Sequence, residues 1–177
     1  MTDFKDRVIG AAKLDVRIYE EVEADRGSMG QAIMVVVLSS AAAGIGSTGQ
    51  MGITGILMGT VTALAGWLFW AWLTYIIGTK LLPEPQTRSD IGELLRTTGF
   101  SSSPGLIRVL GVIPSLAGMF NLIAMIWMLA AMVVAVRQAL DYSSTLRAVG
   151  VCCIGWIIQV FIIMLLFSAF GTPLMPS

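Results

Sequence analysis

The sequence predicts an all-α membrane protein, a compact bundle of about five transmembrane helices with an amphipathic N-terminal cytoplasmic segment. Three observations carry this. Of the 177 residues, 56% are apolar and only 12% are charged, about half the charged share of an ordinary globular protein. The charges cluster, leaving apolar tracts of the length needed to cross the bilayer, about 20 helical residues for roughly 30 Å of hydrocarbon. Finally, the Lys and Arg residues fall in the N-terminal segment and in, or within about a turn of, alternate connections between those tracts.

Residues 1–30 form the expected cytoplasmic segment. Phe4, Val8, Ala11 and Ala12 make one apolar helical stripe, and Leu14, Ile18 and Val22 another. Helices of this kind can lie in the headgroup plane. The acidic run Glu20, Glu21, Glu23 and Asp25 would be repelled by an anionic membrane surface. With five basic and seven acidic residues, Met1 to Gly30 is too acidic for a signal peptide and is expected on the mature protein.

The transmembrane domain is expected over 31–171, with spans at about 31–48, 53–80, 103–114, 116–139 and 146–170 and a short outer tail at 172–177. The second span carries Gly52, Gly55, Gly59 and Ala63 at helical spacing. Such a stripe lets a neighbouring backbone approach closely, and Ala41 to Gly44 of the first span would complete a tight hairpin. Trp67, Phe69, Trp70, Trp72 and Tyr75 read as an interfacial anchor belt. Between the second and third spans, Asp90 and Glu93 predict a capping box for a short cytoplasmic helix that Gly99 ends. The third span starts at Ser103-Pro104, a good helix N-terminus, and is short enough to cross only partly and turn back.

All eleven Lys and Arg residues are expected on one side of the membrane, which the positive-inside rule makes cytoplasmic. The N-terminus is then cytoplasmic and the C-terminus outside. A compact bundle brings span ends together, so Glu20, Glu21, Glu93, Arg96, Arg108, Arg137, Asp141 and Arg147 are expected to form a cytoplasmic rim, pairing with one another. Arg108 would snorkel to the interface from one turn inside the third span. Gln159 and Asn121 are the candidate polar groups inside the membrane, where an amide finds an interhelical hydrogen bond.

Chemistry is sparse. No histidine is present, and Cys152 and Cys153 are adjacent, which gives no metal-ligand spacing. No phosphate loop or nucleophile with its base stands out, so neither a cofactor nor enzymatic activity is expected. A net charge of zero with interleaved signs gives nothing to hold nucleic acid.

Four stretches in order resemble the Yip family, and its small bacterial branch in particular. They are Tyr19 to Asp25, Glu93-Leu94-Leu95-Arg96-Thr97-Thr98-Gly99-Phe100, Ser103-Pro104-Gly105-Leu106, and Ala135 to Tyr142. The resemblance covers about residues 15–170 and implies a five-helix membrane domain. Eukaryotic members bind Rab-class GTPases and one another. This chain lacks their Asp-Leu-x-Gly-Pro stretch and long soluble N-terminal region, so a Rab-type partner is not expected and a bacterial inner membrane is. The expected function is a scaffold, adaptor or accessory subunit acting through the rim on a membrane-protein partner or another copy, amid membrane lipids. A passive permease or lipid-moving protein is the alternative, and a membrane-shaping protein a further one.

The topology is testable with single cysteines and an impermeant thiol reagent in intact cells. Cysteines at Thr2, Arg88 and Ser143 are expected to be shielded, and those at Gly49 and Ser177 labelled. Labelling at Arg88 from outside would reverse the orientation.

Overall fold

The computed structural model describes residues 2–47 and 52–170. The expectations for the loop at 48–51 and the tail at 171–177 lie outside the described residues. Regular structure among the described residues is helical throughout.

Helix α1 (Phe4–Ala12) starts where the Asp3 carboxylate accepts from the Phe4 N–H, and α2 (Val16–Ala24) where Asp15 accepts from Arg17. Leu14, at φ 61°, makes the left-handed turn between them. The two apolar stripes do not face a headgroup plane. Phe4, Val8, Ala11, Ile18 and Val22 pack with Val35, Val36, Trp67, Phe100 and Ala135 of the bundle. The indole of Trp127 donates to the Ala12 carbonyl at 2.6 Å, which fixes the tip of the hairpin.

Among the described residues, four stretches are long and apolar enough to cross a membrane: Arg26–Gly46, Gly52–Leu81, Pro114–Ala139 and Thr145–Ile162. They contain α3 (Met29–Gly46), α4 (Gly52–Ile76), α6 (Pro114–Ala139) and α7 (Thr145–Phe170). A π-helical turn, Ile77–Leu81, prolongs α4. Its Gly78 and Leu82 carbonyls accept from the Tyr142 hydroxyl at 3.1 and 2.7 Å, tying the end of α4 to the α6–α7 connection.

The segment expected as a third span is built differently. Residues Ser103–Val112 form a 3₁₀ helix; at about 2.0 Å per residue its ten residues reach only about 20 Å. It continues α5 (Ile91–Phe100), which begins with the expected Asp90–Glu93 capping box. Gly99 does not end that helix. It sits inside it, where an added Cβ would come within 2.8 Å of the Ala32 Cβ. Nor is α5 a surface helix, since Leu94, Thr97, Thr98 and Phe100 are buried.

The same close approach recurs twice along α3. A Cβ on Gly105 would collide with the Ser39 hydroxyl, and one on Gly46 with the Arg108 carbonyl; one on Gly111 would lie 2.7 Å from the Gly46 carbonyl. Three small residues of α3, seven apart, therefore face three glycines, six apart, in the α5–3₁₀ unit. The spacings match in phase: residues six apart in a 3₁₀ helix are two full turns apart, and residues seven apart in an α-helix are about two turns apart. The broken unit thus runs parallel to α3 from Ala32 to Gly46.

At Gly52 and Gly59 the stripe expected on the second span does not make the expected contact, whereas Ala63 packs against the core cluster that includes Val35 and Val36 of α3. A Cβ on Gly59 meets nothing within 4 Å, nor does one on Gly52, while one on Gly44 would meet Ile56 at 2.8 Å. The α3–α4 approach is centred on that Gly44–Ile56 contact and on the Ser40–Thr60 hydroxyl hydrogen bond of 3.0 Å. Gly55, Gly59 and Ala63 line a cavity of about 270 Å³. The aromatic group is also split: Trp67 is buried and donates to Thr98 at 3.2 Å, while Trp72 is 48% exposed. Only the latter suits an anchor.

Gly105→Leu is expected to lower detergent melting temperature strongly, since overpacking costs about 1–3 kcal/mol even where neighbours yield. Gly59→Leu enters open space and is expected to melt near wild type. Equal losses for both would refute the packing.

Candidate functional site

Where α2, the start of α5, the end of α6 and the α6–α7 connection meet, they leave a cleft of about 890 Å³. Glu20 and Glu23 of α2, Glu93 of α5 and Asp141 line it, with Arg137, Gln138, Gln86 and Tyr142. Four carboxylates therefore face one guanidinium. The spacing Glu20–Glu23 puts both acids on one face of α2, and the opposite face carries Ile18 and Val22 into the core. Asp141 is presented by a left-handed backbone, φ 53°, a conformation that Asp and Asn tolerate better than most residues.

The guanidinium of Arg137 does not neutralise the acids. It donates to the Tyr142 and Ser143 carbonyls at 3.2 and 3.4 Å, closing the end of α6. Glu20 accepts from the Gln138 amide at 3.0 Å, and Glu93 is held by its cap at 2.9 Å. Glu23 lies deepest. Burial first, then the charges of Asp141, Glu93 and Glu20, push its carboxyl up to about 8, against a smaller opposing effect of Arg96.

Of the eight expected rim residues, Glu20, Glu93, Arg137 and Asp141 line this cleft. The other four lie elsewhere. Glu21 points away, into a network in which the buried Arg7 contacts Glu21 at 2.7 Å, Asp25 at 2.9 Å and Gln31 at 3.0 Å. Hydrogen bonds from Thr2 and then Arg7 hold the Glu21 carboxyl down at about 2. Arg96 is buried beneath the cleft floor and donates to the Val22 and Glu23 carbonyls, fixing the end of α2 to α5. Arg147 pairs with Glu84 at 3.1 Å and donates to the Pro83 carbonyl. None of the ion pairs among the described residues joins two members of the expected rim. Mutual pairing was the wrong expectation because backbone carbonyls and the unforeseen Arg7 and Glu84 compete for the same groups.

Arg108 departs furthest from expectation. Its backbone lies against Gly46, and its side chain lines the 270 Å³ cavity with Ser40 and Gly59 and a second, of about 250 Å³, with Trp70, Met128 and Gln159. Gly46 is the last residue of α3, whereas Trp70, Met128 and Gln159 lie along the inner stretches of α4, α6 and α7, away from the helix ends. A guanidinium at such depth costs roughly 2.5–3.5 kcal/mol on insertion scales. The Gln159 amide makes no hydrogen bond among the described residues, contrary to its expected interhelical bond, and shares this cavity. Asn121 is exposed and donates to the Ala117 carbonyl of its own helix at 3.1 Å, so it is not an inward polar group.

Sequence reasoning missed Glu23, Gln86, Gln138 and Tyr142 as cleft residues. Glu23 was legible, three residues from Glu20 on one helical face; Gln86 and Tyr142 come from connections, and only the fold brings those together. Neither a curated protein nor a solved structure matches the chain. A family model, the Yip1 domain, matches residues 16–167, from the start of α2 through most of α7. That span takes in every wall of the cleft and both cavities around Arg108, and the chain belongs to the Yip1 domain family.

Proposed function

We propose that this protein is a non-enzymatic membrane adaptor whose acidic cleft receives a Lys- or Arg-bearing segment of another membrane protein. The cleft carries the reading: four carboxylates line it, and its one guanidinium is engaged by carbonyl oxygens. Burial raises Glu23 most, and a basic segment would relieve the repulsion from Asp141, Glu93 and Glu20 that adds to it; it would find acceptors on α2, α5 and the α6–α7 connection. The N-terminal helices form the amphipathic cytoplasmic segment, and α5 with the 3₁₀ helix serves as a broken third crossing among five. Its run beside α3 supports that role. The distribution of Lys and Arg supports a bacterial inner membrane setting with cleft and N-terminus cytoplasmic and the C-terminus outside.

The test is co-purification from native membranes in mild detergent. Glu20→Lys with Glu23→Gln changes two partly exposed side chains, leaves the Arg137 and Asp141 turn intact, and is expected to insert and melt like wild type. Partner recovery is expected to fall about tenfold or more, the effect of losing roughly 1.4 kcal/mol. A well-folded double variant that retains its partner would end the adaptor reading.

The Glu23 carboxyl adds a pH dependence. Its folded value, about 8, lies above the ordinary 4.5, so the folded state holds this proton more tightly than the unfolded chain. Its contribution to stability is full below about pH 4.5 and is lost as pH rises through about 8. Wild-type melting temperature is expected to fall by a few degrees between pH 5 and 8.5, about 2–4 °C per kcal/mol at this chain length. Glu23→Gln is expected to remove that component, while binding of a basic partner to wild type strengthens over the same range. A wild-type decline unchanged in Glu23→Gln would assign it to another group.

A further inference from the structure

Arg108 brings a permanent positive charge into the interior of the bundle, and its surroundings indicate what would face it. Its Nε is fully buried without a hydrogen-bond partner, and no ion pair among the described residues includes it. The eleven acidic residues all belong to the N-terminal segment or to the stretches Glu84–Glu93 and Asp141, so none lies on the helices that wall the two cavities at this depth. Gln159, with an amide that also lacks a hydrogen bond among the described residues, lines the same 250 Å³ cavity. Its remaining wall is chiefly apolar: Trp70, Met125, Met128, Leu129, Met132 and Trp156.

The shape of this cavity selects among anions. Met125, Leu129 and Trp156 are 52%, 54% and 64% exposed, so the cavity opens sideways on the lipid-facing surface, between α6 and α7. Any anion gives up hydration to enter it. A lipid offsets that cost with acyl chains that stay on the adjoining apolar surface, and a soluble anion has nothing of the kind. At about 250 Å³ the cavity is smaller than the roughly 300–1,000 Å³ of sites that enclose a drug-sized ligand. It holds a headgroup and leaves the chains outside. Flexible methionines suit such a mouth, because they adapt to chains of variable conformation.

We propose that Arg108 and Gln159 bind the anionic headgroup of a membrane phospholipid. The phosphate oxygens accept from the guanidinium fork and the Gln159 amide, and the acyl chains lie along the α6–α7 surface over Met125, Leu129 and Trp156. This site is separate from the acidic cleft, and neither proposal requires the other.

The experiment is native mass spectrometry of the full chain in mild non-ionic detergent, titrated with dioleoyl phosphatidylglycerol, dioleoyl phosphatidylcholine or inorganic phosphate. Wild type is expected to retain one phosphatidylglycerol about tenfold more tightly than phosphatidylcholine. Arg108→Gln should erase that preference, Arg108→Lys keep part of it, and Gln159→Leu reduce it. Removing an unpaired buried charge should leave melting temperature unchanged or raise it, which separates loss of the site from loss of the fold. Should Arg108→Gln not fold, the graded losses in Arg108→Lys and Gln159→Leu decide, and undiminished preference in both overturns the proposal. Equal retention of the two lipids, or a preference that survives in folded Arg108→Gln, overturns it as well. Displacement of phosphatidylglycerol by inorganic phosphate would mark a site for free anions and overturn the lipid assignment.

Discussion

The molecule depends on the contact between α3 and the broken unit of α5 and the 3₁₀ helix. Ala32, Ser39 and Gly46 on one side meet Gly99, Gly105 and Gly111 on the other, so closely that any added Cβ requires movement. Within a membrane there is no hydrophobic gain from joining two apolar helices, and close van der Waals packing of small residues takes its place. The register works only because the second segment changes helix type. With three residues per turn, glycines six apart fall on one face of the 3₁₀ helix, as small residues seven apart do on α3. In a continuous α-helix, glycines six apart would turn away from α3 by roughly two-thirds of a turn.

That contact sets the depth of everything attached to it. Because the unit begins at Ile91 rather than Ser103, Arg108 lies near its far end, beside the last residue of α3, and not one turn inside the start of a span. With its carbonyl against Gly46, the backbone cannot slide to let the side chain snorkel to the interface. The same contact places Leu94 and Arg96 under α2, where Arg96 takes the Val22 and Glu23 carbonyls. This holds Glu20 and Glu23 over Glu93 and Asp141 and makes the cleft. One packing seam thus positions both an acidic cleft at one end of the bundle and a cation within it.

The N-terminal hairpin shows how a short segment can be bound firmly without a long apolar stretch. Its two stripes cover Val35, Val36 and Phe100, and the buried Arg7 joins α1 to α2 and to Gln31 at the start of α3. A buried guanidinium is tolerable there because two carboxylates and an amide meet it. Arg108, equally unable to lose its charge, has no such set. The contrast between the two arginines is the clearest functional signal in the structure.

Membrane class, the four long apolar helices, the capping box at Asp90–Glu93 and family membership were legible in the sequence, since each rests on local composition, spacing or the order of short motifs. Four of the eight rim residues line one cleft, because span ends on one side of a bundle converge. The others turned on partners distant in sequence: Glu21 on Arg7, Arg147 on Glu84, Arg96 on the end of α2. No periodicity encodes those pairings. The small-residue pattern misled in the same way. A glycine stripe on the second span invited a close contact, but a stripe shows only that approach is possible, not which neighbour arrives. Tertiary structure decided that the glycines α3 meets are those at 99, 105 and 111, which share one face beside its small residues. It left Gly59 on a cavity and Arg108 between two of them.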